Sequence, residues 1–117
     1  MHSGLYRYHG LLALREGAID LASTAIDSAL TAAESMGALT QIVEAEVARA
    51  RVLLARSELE TAIAGFERAL GRLDAEAHGM MIGRILAHWA DDLRVLAPRR
   101  AQSYDSWAVA LTGRGQS

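Results

Sequence analysis

The chain has 117 residues, of which 51% are hydrophobic and 22% are charged, and its formal net charge is −2. These values are typical of one folded domain and exclude a disordered chain, a polybasic nucleic-acid binder and an acidic tail. No apolar run approaches the roughly 18 residues that a membrane helix needs. The sequence contains no cysteine, lysine or asparagine, which excludes disulfides, thiolate chemistry and Schiff-base catalysis by lysine.

Six helices are predicted, because alanine and leucine dominate the sequence and the period-two alternation typical of strands is missing. In chain order they cover about 5–15, 18–36, 40–56, a fourth stretch from Ser57 to Leu73, 76–96 and 99–111. The third helix is apolar on two faces, so we expect it to be central and covered on both sides. The fifth helix carries an inward face of Ile82, Ile85, Leu86, Trp89, Leu93 and Leu96.

Helix ends are predicted from residues with special backbone or capping properties. Gly37 is predicted to be a left-handed residue that ends the second helix. Ser57 and Glu60 form a capping-box pattern that would open the fourth helix. Pro98 either ends the fifth helix or begins the sixth. Together these signals predict three antiparallel helical hairpins.

The sequence also contains an internal repeat, in which a small, a bulky and a second small residue return after 40 positions. The first copy is Ala22, Ile26 and Ala29, and the second is Ala62, Phe66 and Ala69. An internal repeat of this length is typical of stacked helical hairpins. We therefore expect Ile26 and Phe66 to be structural residues in the core.

These spacings resemble the tetratricopeptide repeat, with Gly10 and Ala50 at the first small position of each copy. The resemblance covers about 4–73, although the period here is 40 residues against about 34 in that family. His9 and Arg49 depart from the pattern, which has leucine there. The resemblance implies an all-α solenoid with a right-handed superhelical tendency over 1–117, with repeats at about 4–37 and 40–74 and a degenerate third repeat or cap at about 76–112.

In the tetratricopeptide family the first helix of each repeat lines a concave groove that binds peptides. The resemblance places in this groove Arg7, Leu11, Leu14 and Arg15, and Glu44, Val47, Arg51 and Leu54, with Gly4 and Ala55 beside them. Arginine binds a carboxylate through two parallel hydrogen bonds, so we expect an acidic peptide or a chain end as partner. The family's clamp of lysines and asparagines is excluded, because the chain has neither residue type.

Long, alanine-rich repeats of this kind are similar to those of bacterial regulators such as large ATPase-type transcriptional activators. The resemblance therefore implies a non-catalytic protein-binding module of a cytoplasmic regulatory or signalling protein. Two alternatives remain open, a small-ligand sensor and an oligomerisation domain. For the latter, a homodimer interface would use Trp89, Tyr104 and Trp107, since tryptophan and tyrosine are favoured interface residues.

Catalytic, metal and phosphate-binding motifs are missing from the sequence. His88 shares a helix face with Asp91 and Asp92, but one histidine with two aspartates is a weak metal pattern and is typical of a solvated surface. Arg99 and Arg100 are likewise interpreted as solvated. We expect no cofactor, no metal, no enzyme activity and neither nucleic acid nor membrane as a partner.

Overall fold

Helices joined by short connectors make up the part of the chain, residues 18–113, that the computed structural model describes. They are α1 (Ile19–Met36), α2 (Leu39–Ala55), α3 (Leu59–Leu70), α4 (Ala75–Leu93) and α5 (Pro98–Gly113). Within 18–113 there is no strand, so the predicted all-α fold class is confirmed. None of these five helices combines the length and the apolar character that crossing a bilayer requires. The first predicted helix, 5–15, lies outside the described residues.

The chain divides into two compact units, with the boundary between Arg72 and Leu73. The first unit contains α1, α2 and α3, and the second contains α4 and α5. Where the sequence predicts one repeat domain over 1–117, the structure therefore has two units. Their boundary lies close to the predicted end of the second repeat.

In the first unit, α1 and α2 form an antiparallel hairpin with small side chains at its interface. The beginning of α1 meets the end of α2, and the end of α1 meets the beginning of α2. The first contact is made by Ala22, Ile26, Ala48 and Val52, and the second by Ala29, Leu30 and Ala45. Because the distance between packed helices depends on the side chains at the contact, alanines allow the two backbones to lie close together.

The middle helix, α2, packs against both α1 and α3. Its buried residues lie on two faces and are Val43, Ala45, Ala48, Ala50, Val52 and Leu54. A helix covered on two sides must be apolar on both, and this is the pattern from which its central position was predicted. That prediction is confirmed.

The repeated small, bulky and small residues are core residues in both copies. All six members, Ala22, Ile26, Ala29, Ala62, Phe66 and Ala69, are at most 1% exposed. The repeat in the sequence therefore reflects helix packing. The structural role predicted for Ile26 and Phe66 is confirmed.

Helix α1 ends at a left-handed glycine, as predicted. Gly37 has φ 63° and donates its N–H to Glu34 O at 3.2 Å, and the Ala38 N–H donates to Ala33 O at 3.1 Å. These two hydrogen bonds form a Schellman motif, which satisfies carbonyl groups left over in the last turn of the helix.

Helix α2 ends in the same way, but at a serine. Ser57 has φ 64°, and its N–H donates to Leu54 O at 3.0 Å while the Glu58 N–H donates to Leu53 O at 2.9 Å. The predicted capping box is therefore wrong. Ser57 closes α2, and Glu58 is the N-cap of α3, without a side-chain capping bond. Because the connector is so short, Ser57, which was predicted to cap α3, instead ends α2.

We expect Ser57→Gly to stabilise the protein by about 0.5–1 kcal/mol. A side chain in the left-handed region costs about 1–2 kcal/mol, and glycine removes this cost but adds entropy to the unfolded chain. The measurement is the free energy of unfolding from urea titration. The matched control is Ser35→Gly in the last turn of α1, where glycine should cost about 0.5 kcal/mol. A loss of stability in both variants would contradict the prediction.

In the second unit, α4 and α5 pack through an aromatic pair. Trp89 is 1% exposed, and its ring meets Tyr104 edge to face with centroids 6.4 Å apart. The predicted inward face of α4 is buried except for Leu96, which is 55% exposed because the helix ends at Leu93. Pro98 begins α5, which decides between the two roles predicted for it.

Candidate functional site

The structure describes only half of the groove predicted from the family resemblance. The residues Gly4, Arg7, Leu11, Leu14 and Arg15 lie outside the described range. On α2, Glu44, Val47 and Arg51 are half-buried, and Ala55 is exposed. Leu54 is buried, and we correct its assignment from a groove residue to a core residue. The reason is that α2, packed on two sides, uses this position in its core.

The three aromatic residues predicted as an oligomer interface do not form one surface. Trp89 and Tyr104 are buried in the second unit, and Trp107 is 44% exposed. The Trp107 ring stacks on Tyr104, with centroids 6.4 Å apart and an interplanar angle of 22°. The prediction is therefore corrected for Trp89 and Tyr104, which are core residues of the α4–α5 hairpin.

The remaining polar residues considered in the sequence are exposed, except for Asp92, which is half-buried. His88 is exposed, and Asp91 accepts a hydrogen bond from Arg94 Nη2 at 2.7 Å. Arg94 also donates to Asp105 at 2.9 Å, and these two carboxylates raise its pKa. Arg99 and Arg100 are exposed in the first turn of α5.

A cleft of about 220 Å³ lies between α2 and α3 in the first unit. It is lined by Glu46, Arg49, Ala50 and Leu53 of α2, by Thr61, Gly65 and Arg68 of α3, and by Arg72 just after α3. Three arginines and one glutamate therefore surround a space with small and apolar residues between them.

Small residues on the two helices leave the space that forms the cleft. Ala50 is the small residue at the predicted close-packing position of the second repeat, and it is 1% exposed. Gly65 lines the cleft on α3. A Cβ atom at Gly65 would have one neighbour within 4 Å, Nη2 of Arg68 at 3.9 Å. The guanidinium of Arg68 thus lies close to the space that Gly65 leaves open.

Two of the three arginines are held by carboxylates of the same unit. Arg49 Nη2 donates to Asp27 Oδ1 of α1 at 2.7 Å. Arg72 Nε lies 3.0 Å from Glu46 Oε1, and Arg72 Nη2 donates to Glu46 Oε2 at 3.4 Å. These contacts place both guanidinium groups beside carboxylates at the edges of the cleft.

The third arginine, Arg68, makes no ion pair with any residue of the described range. Three guanidinium charges therefore face two carboxylates, Asp27 and Glu46, and one positive charge remains. Arg68, in the last turn of α3, and Arg72, just after that helix, both line the cleft, so two positive charges face the same space. The arrangement favours an additional anion in the cleft.

Sequence reasoning missed this site, although two signals pointed towards it. Arg49 departs from the leucine of the tetratricopeptide pattern, and the structure shows it bridging α1 to the cleft. Arg68 and Arg72 are also close in the sequence, in the last turn of α3 and just after it. What the sequence lacked was the register of α2 against α3, which brings the three arginines together.

No family model matches the chain, and searches of curated proteins and of solved structures find no match either. Over the described residues, the fold and the site define an all-α protein with an arginine-lined cleft between two antiparallel helices.

Proposed function

We propose that the chain is a non-catalytic module that binds an acidic segment of a protein or peptide partner. The cleft lined by Arg49, Arg68 and Arg72 carries this proposal. The tetratricopeptide resemblance adds the setting, a bacterial regulatory or signalling protein.

The size of the cleft favours a side chain over a whole small molecule. Pockets for drug-sized ligands measure about 300–1,000 Å³, and the cleft measures about 220 Å³. A space of this size accepts one side chain or one chain end of a partner. This observation favours a peptide-binding module over a small-ligand sensor.

The chemistry of the lining also favours binding over catalysis. Among the eight lining residues, Thr61 supplies the one hydroxyl group, and there is no histidine beside it to act as a general base. Guanidinium groups, in contrast, hold carboxylates through charge-assisted hydrogen bonds without changing protonation state.

The test is selection of random twelve-residue peptides by phage display on the immobilised full chain. We expect the wild type to enrich peptides rich in aspartate and glutamate, and Arg68→Glu to abolish this enrichment. The matched control is Arg99→Glu, which makes the same charge change on α5 and should retain it. Enrichment of peptides without acidic residues would overturn the proposal.

Loss of binding in Arg68→Glu should not reflect loss of folding. Arg68 is exposed and makes no ion pair within the described range, so the substitution breaks neither core packing nor an ion pair. It removes a positive charge from the last turn of α3, which costs about 0.3–1 kcal/mol. Stability should therefore change little.

A further variant separates the cleft from the groove predicted by the family resemblance. Arg51→Glu alters α2 outside the lining of the cleft, and we expect it to retain acidic peptides. Binding that is lost in Arg51→Glu and kept in Arg68→Glu would overturn the assignment to the cleft.

A further inference from the structure

We infer that the group bound by the cleft is a single carboxylate and that Glu46 is its intramolecular competitor for Arg72. This inference rests on the proposed function, since it names the ligand chemistry and the regulation of the same site. An incoming carboxylate would contact Arg68 first and then share or take Arg72 from Glu46.

The charges of the cleft fit a ligand with one negative charge. With Asp27 on Arg49 and Glu46 on Arg72, the three arginines retain one positive charge, at Arg68. A carboxylate neutralises that charge, whereas a doubly charged phosphoryl group would leave an excess negative charge beside Glu46. The planar guanidinium matches carboxylate and phosphate oxygens alike, so the charge balance is what favours the carboxylate.

The contact between Glu46 and Arg72 is open to exchange. Its hydrogen bond, from Arg72 Nη2 to Glu46 Oε2, is 3.4 Å long, beyond the usual range of 2.7–3.2 Å. Glu46 Oε1 lies 3.0 Å from Arg72 Nε but accepts no hydrogen bond from the described residues. The Arg72 side chain is 47% exposed, and the Glu46 side chain is 21% exposed. A ligand can therefore reach Arg72 from solvent while Glu46 lies on the wall of the cleft.

The carboxylates of the two ion pairs differ in whether they line the cleft. Arg49 is held at 2.7 Å by Asp27, which belongs to α1 and does not line the cleft. Glu46 does line it, so its charge repels any carboxylate that enters. Asp27 thus fixes an arginine for the ligand, and Glu46 opposes the ligand.

This difference predicts changes of opposite sign. We expect Glu46→Gln to tighten carboxylate binding about three- to ten-fold, because it removes a like charge a few ångströms from the ligand while keeping the shape of the side chain. We expect Arg68→Gln to weaken binding at least about ten-fold. A merely structural ion pair between Glu46 and Arg72 would instead make Glu46→Gln weaken binding.

The test is titration of the ¹⁵N-labelled full chain with N-acetylglutamate N′-methylamide, followed by amide and arginine side-chain chemical shifts. Parallel titrations use the matched glutamine compound and methyl phosphate. We expect the glutamate compound to shift signals of Arg68 and Arg72 and the glutamine compound to shift neither. Equal binding of glutamate and glutamine, or tighter binding of methyl phosphate, would overturn the inference.

Control variants separate the effect of charge from that of folding. Glu34→Gln removes the same charge near the end of α1 and should leave the affinity unchanged. Glu46→Ala is a second variant expected to tighten binding, and thermal unfolding of each variant checks that it is folded. Weaker binding by both Glu46 variants at unchanged stability would overturn the inference.

Failure of the inference and failure of the proposed function are distinguishable. If no small carboxylate binds while the chain still enriches acidic peptides, the proposed function stands and the single-carboxylate site is overturned. If neither experiment shows binding, both are overturned.

Discussion

Phe66→Ala should lower the free energy of unfolding by about 3–5 kcal/mol. Phe66 is fully buried and is the bulky member of the second repeated triplet, between Ala62 and Ala69. Removing its ring loses the transfer free energy of the side chain and leaves a cavity between small residues that cannot fill it. The measurement is urea unfolding of the full chain, followed by circular dichroism.

The matched control is Phe66→Leu, which keeps most of the volume and should cost less than about 1.5 kcal/mol. Because small proteins are stable by only about 5–15 kcal/mol, the alanine variant should lose a large part of its stability. A loss below about 1 kcal/mol would contradict the central packing position of Phe66.

Trp89→Ala should destabilise the protein by a comparable amount, about 3–5 kcal/mol. Trp89 is 1% exposed and meets the ring of Tyr104 edge to face. Truncation therefore removes both a large buried surface and an aromatic pair worth about 0.5–1.5 kcal/mol beyond that surface.

The second tryptophan of the chain is the control for this prediction. Trp107 is 44% exposed, so Trp107→Ala should cost well under half as much as Trp89→Ala. The comparison is between two tryptophans of the same helical hairpin, one buried and one partly exposed. Equal losses for the two variants would contradict the assignment of Trp89 to the core and of Trp107 to the surface.

The helices were predictable because their cause is local. Apolar residues at helical spacing, and glycine after the last turn, gave α1 and its left-handed end at Gly37. Ser57 was not predictable in the same way. A serine between two helices can cap the next one or close the previous one, and only the path of the backbone decides between these roles.

Depth of burial was partly predictable for the aromatic residues. Trp89 follows the helical spacing of Leu86 and Leu93, and this periodicity places it in the core. Its residue type alone also fitted an interface, because tryptophan is favoured in both places. The spacing was the better guide.

The cleft could not be predicted from the sequence, because it depends on two helices at once. Arg68 and Arg72 are four positions apart in the sequence, so they are necessarily near each other. Arg49 joins them only through the register of α2 against α3, which is set by the packing of small residues such as Ala50. Distant residues of one charge sign carry no sequence pattern that marks them as neighbours.

The alanine interface between α1 and α2 determines how sequence conservation at these positions is interpreted in any alignment of relatives. Ala22, Ala29 and Ala45 are fully buried, so a larger residue at any of them would push the helices apart. Conservation of these alanines would mean only that no larger side chain fits between the two helices. Arg68 is exposed and has no ion-pair partner in the described range. Conservation of Arg68 would instead indicate selection for ligand binding.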